Sequence, residues 1–346
     1  MTFASLDSRK KDGFFLKMEL RYLNKVPIRV GCLSIDGFAL LSYSAVVEPL
    51  RAANLLAGRL VYSVRHIAAQ GSHAESSDGM AVEATARVGE QFDFDYVFVF
   101  AGGDPARFHD DRVFKWLRQL AQRGVVLAGI SGGPVILVAA GVMVGRRMTV
   151  HWEHAGMLAE ASPDLFIERT LYVIDRDRIT CAGGIAPLDL MHALITEHCG
   201  GDLAQRVSDW YMHTDIRPSG GPQRAGIAER YGTASQTAVR AIEAMENHIA
   251  DPLTLPQLAL LSGVGARQLN RLFREKLGQS TMEFYRSLRV EKAHGFLTQS
   301  PMSISQVALA TGFSSPAHFS QCFKKMYGKP PSALRESMRP RVLVTL

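Results

Sequence analysis

The sequence has few cysteines, and none is placed for a metal site. Only four occur in 346 residues, Cys32, Cys181, Cys199 and Cys322, and no two have the CxxC or Cys/His spacing of a zinc site. The first 26 residues contain no apolar core of a secretory signal, so we expect reduced thiols and a cytoplasmic protein. These absences argue against a disulfide-rich secreted fold, and the sequence predicts neither a metal nor a cofactor.

A hydrophobic run suited to a membrane helix is also missing. In the uncharged stretch 129–145, Pro134 and Gly141 interrupt an apolar run that falls short of the roughly 20 residues a span needs. We interpret this stretch as a buried turn and helix and expect no membrane contact. With 47% hydrophobic and 21% charged residues, the composition is that of a globular protein of about two domains.

Positive charge is concentrated in the C-terminal third of the chain. Residues 234–346 contain 14 Lys/Arg and 7 Asp/Glu, a net charge of +7, whereas residues 1–233 contain 25 and 26, a net charge of −1. A nearly neutral part joined to a basic part favours contact between the basic part and a polyanion. Because a small basic domain can also simply be soluble, charge alone does not decide between these interpretations.

Short apolar runs alternate with amphipathic segments in residues 27–212. The pattern predicts strands at 28–33, 61–68, 96–100, 125–130, 171–174 and 178–182, and helices at 46–56, 110–123 and 187–198. This order predicts an α/β doubly wound fold, a parallel sheet with helices on both faces. Residues 1–26 would then be an N-terminal extension. A polar stretch with clustered Pro and Gly predicts a linker at 213–233.

The part of the chain at 234–338 contains an internal repeat with a period of about 50 residues. Ala259 and Gly263 match Ala308 and Gly312 at an offset of 49, and Phe273 and Gly278 match Phe323 and Gly328 at an offset of 50. In a helix-turn-helix, a small Ala lets two helices cross closely, and a Gly takes a turn conformation that costs other residues free energy. We therefore predict an all-α domain with two helix-turn-helix units, a connecting helix at 282–297 and a tail at 339–346.

Polar and basic side chains occupy the face of each second helix that the apolar residues leave free. They are Arg267, Asn270, Arg271 and Arg274 in the first copy, and His318, Gln321, Lys324 and Lys325 in the second. These residue types bind base edges and phosphates in a DNA major groove. A helical repeat that binds another protein is the alternative, but two tandem units with basic faces favour double-stranded DNA.

Residues 236–336 resemble the AraC/XylS family of bacterial regulators. The most specific stretch is Gly312–Ser320 (GFSSPAHFS), followed by Phe323-Lys324-Lys325 and by residues 327–331 (YGKPP). The resemblance implies that both recognition helices enter successive major grooves of a promoter or operator, and that RNA polymerase is a further partner. The implied base contacts are Arg267, Asn270 and Arg271 in one half, and Ala317, His318 and Gln321 in the other.

Ser131 lies in a stretch, residues 128–134 (AGISGGP), that follows a predicted buried strand and precedes an apolar helix. Such a turn can expose a nucleophile beside a helix N-terminus. His151 follows 20 residues later, and a Ser/His pair can be catalytic if an acid orients the histidine. Alternatively, the glycines only permit a tight turn and Ser131 caps the helix.

Residues 28–200 resemble the class-I glutamine amidotransferase-like superfamily of the PfpI type, which implies a flavodoxin-like sandwich. The pair Gly102-Gly103 matches its strand-end glycines, Ser131 its nucleophilic cysteine and His151 its histidine. A serine hydroxyl needs a well-placed base, whereas a thiol has a pKa of about 8.5 and ionises readily, so the substitution implies that the superfamily chemistry is lost. The acidic partner stays open between Glu48 and a serine, Ser42 or Ser44.

The fusion of these two parts resembles the GlxA-type architecture, and the strings SGGP and HWEH are similar to those in regulators of carnitine, choline and glycine-betaine breakdown. The resemblance implies a homodimeric, ligand-responsive regulator with no catalytic residue, an activator of a catabolic operon whose effector is a small amine or quaternary ammonium. The implied effector contacts are Gly102, Gly103, Ser131, Gly132, His151, Trp152 and Glu153.

Trp152 would then attract the ammonium group by cation–π interaction, and Glu153 would add negative charge. Alternatively, Trp152 is a core aromatic residue and Glu153 a structural ion-pair partner. Two other functions stay open for the whole chain. One is a hydrolase or deglycase fused to a DNA-binding module, and the other is a constitutive architectural protein with a vestigial first domain.

Overall fold

The structure is a computed structural model that describes residues 22–23, 25–299 and 302–337. Most of the predicted N-terminal extension and all of the predicted tail at 339–346 lie outside the described residues. The chain divides into two compact units, Met1–Gln223 and Arg224–Leu346.

A seven-stranded sheet forms the centre of the first unit. The strands of this unit are β1 (Ile28–Ser34), β2 (Tyr62–Ala68), β3 (His73–Glu75), β4 (Ala81–Glu83), β5 (Ala86–Arg87), β6 (Tyr96–Ala101), β7 (Val126–Ser131), β8 (Arg147–Met148), β9 (Phe166–Ile167), β10 (Tyr172–Asp175) and β11 (Arg178–Cys181). The order in the large sheet is β10-β11-β7-β6-β1-β2-β5, parallel except for the pair β10 and β11. The two residues between β10 and β11 are too few for a crossover, so that pair is antiparallel.

Helices cover both faces of this sheet. They are α1 (Leu40–Leu56), α2 (Asp111–Gln122), α3 (Gly133–Ala139), α4 (Trp152–Ala161), α5 (Ala186–Cys199) and α6 (Gly201–Trp210). Side chains of β6 alternate between the two cores: Phe98 and Phe100 pack with α1, α5 and α6, and Val97 and Val99 pack with α2 and α3. The predicted α/β doubly wound fold is confirmed, with one antiparallel edge strand added.

The described part of the second unit is helical. Its helices are α7 (Ile227–Arg230), α8 (Gln236–Asn247), α9 (Leu255–Leu261), α10 (Ala266–Leu277), α11 (Thr281–Gln299), α12 (Ile304–Ala310), α13 (Pro316–Tyr327) and α14 (Pro331–Ser337). Helices α9 and α10 form one helix-turn-helix, and α12 and α13 form the other. The predicted all-α fold is confirmed, and α11 is the connecting helix.

The segment predicted as a linker, 213–233, makes contacts in both units. Arg217 binds the buried carboxylate of Asp189 in the first unit. Helix α7 also lies inside this segment, and Tyr231 packs on the core of the second unit. The boundary between the two units, after Gln223, falls within this predicted linker. Clustered Pro and Gly indicate irregular backbone, and the contacts show that irregular backbone can still be well packed.

Candidate functional site

Ser131 ends β7 in a backbone conformation that residues other than glycine rarely adopt. Its φ is +61°, and its side chain is buried. Such a conformation costs on the order of 1–3 kcal/mol and is found where the surrounding structure imposes it. The next residue, Gly132, donates its N–H to the carbonyl of Ala101 at 3.0 Å, which joins the turn to the end of β6. A strained strand-to-helix turn is therefore built at the predicted nucleophile position.

Glycines allow other loops to pack directly around this turn. A Cβ on Gly183 would lie 2.7 Å from the Cβ of Ser131, and Gly183 has a φ of +90°. Next to Ala101, which accepts the Gly132 N–H, a Cβ on Gly102 would lie 2.5 Å from the carbonyl oxygen of Gly37. Around Gly103, by contrast, a Cβ would meet no atom within 4 Å. Gly102 and Gly183 are thus required by close backbone packing.

His151 contacts Ser131 through its backbone. Its N–H donates to the Ser131 carbonyl at 3.3 Å, and in the described part of the chain no hydrogen bond joins the imidazole to the Ser131 hydroxyl. The ring instead accepts the N–H of Glu153 through Nδ1 at 3.4 Å and caps α4. Burial lowers the pKa of His151, and the nearby Glu153 carboxylate partly opposes that shift. The imidazole is therefore neutral at pH 7 and not placed as a base for Ser131.

Glu48 does not complete this site. Its carboxylate accepts hydrogen bonds from Arg51 at 2.6 Å and from the Tyr211 hydroxyl at 2.9 Å, and the Arg51 bond lowers its pKa. Ser42, six residues and about 9 Å earlier in α1, donates to the carbonyl of Gly184 at 3.4 Å. Because Gly184 follows the glycine packed on Ser131, Ser42 is the candidate that adjoins the turn. Ser44 is half-buried in the same helix.

Trp152 and Glu153 begin α4 beside His151. Trp152 is 39% exposed, its ring centre lies 5.3 Å from that of His151, and the Glu153 side chain is also 39% exposed. Trp152 is therefore not a core aromatic residue, and Glu153 lies 3.6 Å from a neutral imidazole, which makes no ion pair. A partly exposed aromatic ring and a carboxylate thus stand next to each other at the start of one helix.

Two residues near this site were missed by the sequence analysis. His154, the third residue of α4, is 4% exposed, and its Nδ1 has no hydrogen-bond partner among the described residues. Burial lowers its pKa to about 4. Asp104 follows the glycine pair Gly102-Gly103 that comes after β6, and its largely buried carboxylate lies 2.9 Å from Arg107 Nε. Its position directly after Gly102-Gly103 and before Pro105 was the signal that could have identified it.

The turns of the two helix-turn-helix units repeat each other closely. Gly263 and Gly312 have φ values of +73° and +72°. The hydroxyl before each glycine bonds back to its helix, Ser262 to the carbonyl of Leu258 at 2.6 Å and Thr311 to that of Val307 at 2.7 Å. The residues that repeat in the sequence therefore also form the same hydrogen bonds in both turns.

Helix α11 is bound to the segments around both helix-turn-helix units through two residues of its first half. The Tyr285 hydroxyl donates at 2.5 Å to the carbonyl of His248, at the end of α8 and before the first helix-turn-helix. Four residues on, Arg289 donates to the carbonyl of Thr311 in the second turn at 2.7 Å, and its guanidinium lies 4.1 Å from the ring centre of Phe313. One rigid helix therefore fixes the spacing of α10 and α13.

Most of the predicted DNA-contacting residues are exposed on α10 and α13. These exposed residues are Arg267, Arg271, Arg274, Ala317, His318, Gln321, Lys324 and Lys325. Their helices are held to the core by Leu269 and Phe273, and by Phe319 and Phe323, all fully buried. Asn270 differs from the prediction: it is half-buried, and its Oδ1 accepts the N–H of Thr281 at 3.0 Å. The reason is its position, which on a 3.6-residue period lies beside Leu269 and Phe273.

Two wider searches of the described ranges add little to these sites. In residues 22–23, 25–299 and 302–337, no three His, Cys, Asp or Glu side chains are grouped as metal ligands. None of the helices in the same ranges is long and apolar enough to cross a membrane.

Each of the two units matches a known protein family. Residues 29–197 match the DJ-1/PfpI family, and residues 258–337 match a family described as helix-turn-helix domain. The chain is 45% identical to the HTH-type transcriptional regulator GlxA of Rhizobium meliloti (strain 1021), over 89% of this chain and 95% of that protein. In Pseudomonas aeruginosa, the HTH-type transcriptional regulator CdhR is 39% identical (87% and 89%), and GbdR is 33% identical (93% and 89%). The chain therefore belongs to the AraC-family DNA-binding transcriptional regulators that carry an N-terminal DJ-1/PfpI domain.

Proposed function

We propose that the first unit of this regulator binds a small-molecule effector and does not consume it. The observation that carries the proposal is the environment of Ser131. Its backbone has the strained, positive φ of a nucleophile turn, but its hydroxyl makes no hydrogen bond to the His151 imidazole within the described residues. A serine becomes nucleophilic only when a base lies within hydrogen-bond reach. The absence of that contact in the described residues supports binding over turnover.

The effector we propose is a small amine or quaternary ammonium compound. The partly exposed ring of Trp152 offers a cation–π surface, and the Glu153 carboxylate beside it adds negative charge. Gly102, Gly103, Ser131, Gly132 and His151 would form the rest of the contact surface. Through this effector the protein would act in the cytoplasm as a homodimer, activating a catabolic operon together with RNA polymerase, as its resemblance to regulators of quaternary-ammonium breakdown implies.

Trp152→Ala should weaken the binding of a quaternary ammonium probe by about 0.5–2 kcal/mol, and Trp152→Phe by less, because a smaller aromatic face remains. Choline and tetramethylammonium are suitable probes for the full-length chain. Calorimetric titration gives the Kd, and thermal unfolding checks it, because a ligand that binds only the native state raises the Tm. Trp210→Ala is the matched control, since Trp210 is also half-exposed but ends α6.

Three results would contradict parts of this proposal. Unchanged probe affinity in a folded Trp152→Ala protein would remove the ammonium contact. If no small amine or ammonium compound binds, the proposed effector class is wrong. Turnover of an ester, amide or glycated substrate that disappears in Ser131→Ala would make the first unit an enzyme.

Arg271→Ala should cost about 1–3 kcal/mol of binding free energy on a selected operator duplex and much less on random DNA. Arg271 lies on the exposed face of α10, and its pair with Glu275 is long, at 3.8 Å, with both side chains mostly exposed. Such a pair is weak, so the guanidinium is available to a guanine. Fluorescence anisotropy at fixed salt gives both affinities.

Lys276→Ala is the control for this measurement. It removes the same charge from the same exposed helix, but about 140° around it from Arg271. We expect Lys276→Ala to change the two affinities by similar factors. Equal losses on operator and random DNA for Arg271→Ala would mean that Arg271 contacts only the DNA backbone.

A further inference from the structure

The two recognition helices have the same pattern of exposure when aligned at an offset of 50 residues. Positions 267, 268 and 271 are exposed in α10, as are positions 317, 318 and 321 in α13. Asn270 and its counterpart Ser320 are both half-buried. The residue of α10 that corresponds to His318 is thus Gln268, whereas Asn270 lies at the edge of the packed face.

Asn270 has a partner inside the domain. Its Oδ1 accepts the N–H of Thr281, the first residue of α11, at 3.0 Å. The N–H groups in the first turn of a helix have no partner within that helix, and Thr281 is fully buried. If Asn270 turned toward DNA, this N–H would lose its acceptor in a place water does not reach, which is unfavourable.

Gln268, unlike Asn270, has its side chain exposed to solvent. It is the third residue of α10, and within the described residues its side chain makes no hydrogen bond. In a helix-turn-helix, the N-terminal residues of the second helix contact base edges. At 100° per residue, Gln268 lies about 60° from Arg271 around the helix, and Asn270 about 100° from it. Gln268 therefore shares the exposed face with Arg271.

We propose that Gln268 is a specificity-determining residue that contacts a base edge in the first major groove, and that Asn270 is a positioning residue that fixes α10 against α11. The amide of Gln268 can bind adenine through N6 and N7 with two hydrogen bonds. Asn270 acts through the helix it holds and touches no base. This proposal depends on DNA binding by the second unit and not on the effector of the first.

The test uses the full-length protein and a duplex selected by it from a random library, with unselected DNA as the reference. Gln268→Ala should lower affinity for the selected duplex about 5- to 100-fold, leave affinity for unselected DNA within about 2-fold and leave the Tm unchanged. Gln268→Glu, reselected on the library, should change the preferred base at one position, from adenine toward cytosine, because a carboxylate accepts from cytosine N4.

Asn270 is tested with a conservative variant. Asn270→Asp keeps an acceptor for the Thr281 N–H but loses the amide donor, so the Tm and the base preference should both stay as in the wild type. Its added negative charge should weaken binding to the selected duplex and to unselected DNA by the same factor. Asn270→Ala should lower the Tm without changing which bases are preferred.

Three results would overturn the assignment. The first is a changed base preference in Asn270→Asp with an unchanged Tm, which would make Asn270 a base contact. The second is Gln268→Ala with unchanged affinity for the selected duplex. The third is an equal loss on both DNAs for Gln268→Ala, which would make Gln268 a phosphate contact.

Discussion

Replacing Arg217 by alanine should lower the free energy of unfolding of the first unit by about 3 kcal/mol. Arg217 donates from Nη2 at 2.6 Å and from Nε at 3.0 Å to Oδ2 of Asp189, which is 1% exposed. Removing one partner of a buried charge pair typically costs about 3–5 kcal/mol, because the other charge is left uncompensated. We expect the lower end, since His213 and the Arg217 backbone N–H still donate to Oδ1, each at 2.9 Å.

Tryptophan fluorescence during urea unfolding of the full-length chain measures this change. All three tryptophans, Trp116, Trp152 and Trp210, lie in the first unit, so the signal reports on that unit. Arg206→Ala is the control, because Arg206 is exposed and its one side-chain hydrogen bond within the described ranges is to the backbone carbonyl of Leu56, at 2.9 Å. Adding Asp189→Asn to Arg217→Ala should recover part of the loss by removing the unpaired charge. A loss below about 1 kcal/mol in Arg217→Ala would show that Asp189 does not need Arg217.

The same contacts give the segment after residue 212 a structural role. Gln223, the last residue of the first unit, donates from Nε2 to the Thr149 hydroxyl at 2.9 Å and to the Thr170 carbonyl at 2.7 Å. Thr149 is two residues before His151. The chain that leads to the DNA-binding unit is therefore fixed to the segment between β8 and His151. A first domain cut at residue 212 would lose these bonds.

Local patterns explain which parts of the fold were predictable. The runs at 96–100 and 125–130 are continuously apolar because β6 and β7 are buried on both faces, and both strands lie where predicted. The helix-turn-helix repeat was predictable because each turn needs the same small and apolar residues. Helix α4 was missed because its cap is a histidine ring nitrogen, which is not one of the usual capping groups. Helix α1 begins at Leu40, six residues before the prediction, because Ser42 and Tyr43 are held there by burial.

The site was predictable in its backbone and less so in its contacts. The sequence analysis predicted Ser131, His151 and the Gly102 loop as site residues, and in the structure the backbones of Ser131 and His151 are hydrogen-bonded. The spacing could not predict whether the His151 imidazole reaches the Ser131 hydroxyl, because that depends on the His151 rotamer, which is fixed by the Glu153 N–H. Glu48 was a poor candidate for the same kind of reason, since its partner Tyr211 lies 163 residues away.

Gly312→Ala should destabilise the second unit by about 2–5 kcal/mol, whereas Gly263→Ala should cost about 1–2 kcal/mol. The two glycines have nearly the same φ, so the backbone strain of an alanine is the same at both. Their surroundings differ. A Cβ at Gly312 would lie 2.5 Å from Pro252 Cγ and 2.6 Å from the Ile249 carbonyl oxygen, whereas at Gly263 the nearest atom is 3.9 Å away on flexible Arg240.

The difference in free energy of unfolding between Gly312→Ala and Gly263→Ala measures how closely the turn at Gly312 packs on the segment before α9. Circular dichroism follows the loss of helix during unfolding. Because all three tryptophans lie in the first unit, a transition that leaves tryptophan fluorescence unchanged is the unfolding of the second unit. Because that packing and Arg289 both set the spacing of α10 and α13, Gly312→Ala should also weaken binding to a duplex with two half-sites more than Gly263→Ala does. Equal destabilisation by the two substitutions would contradict this close contact and would leave α11 alone to fix the distance between the recognition helices.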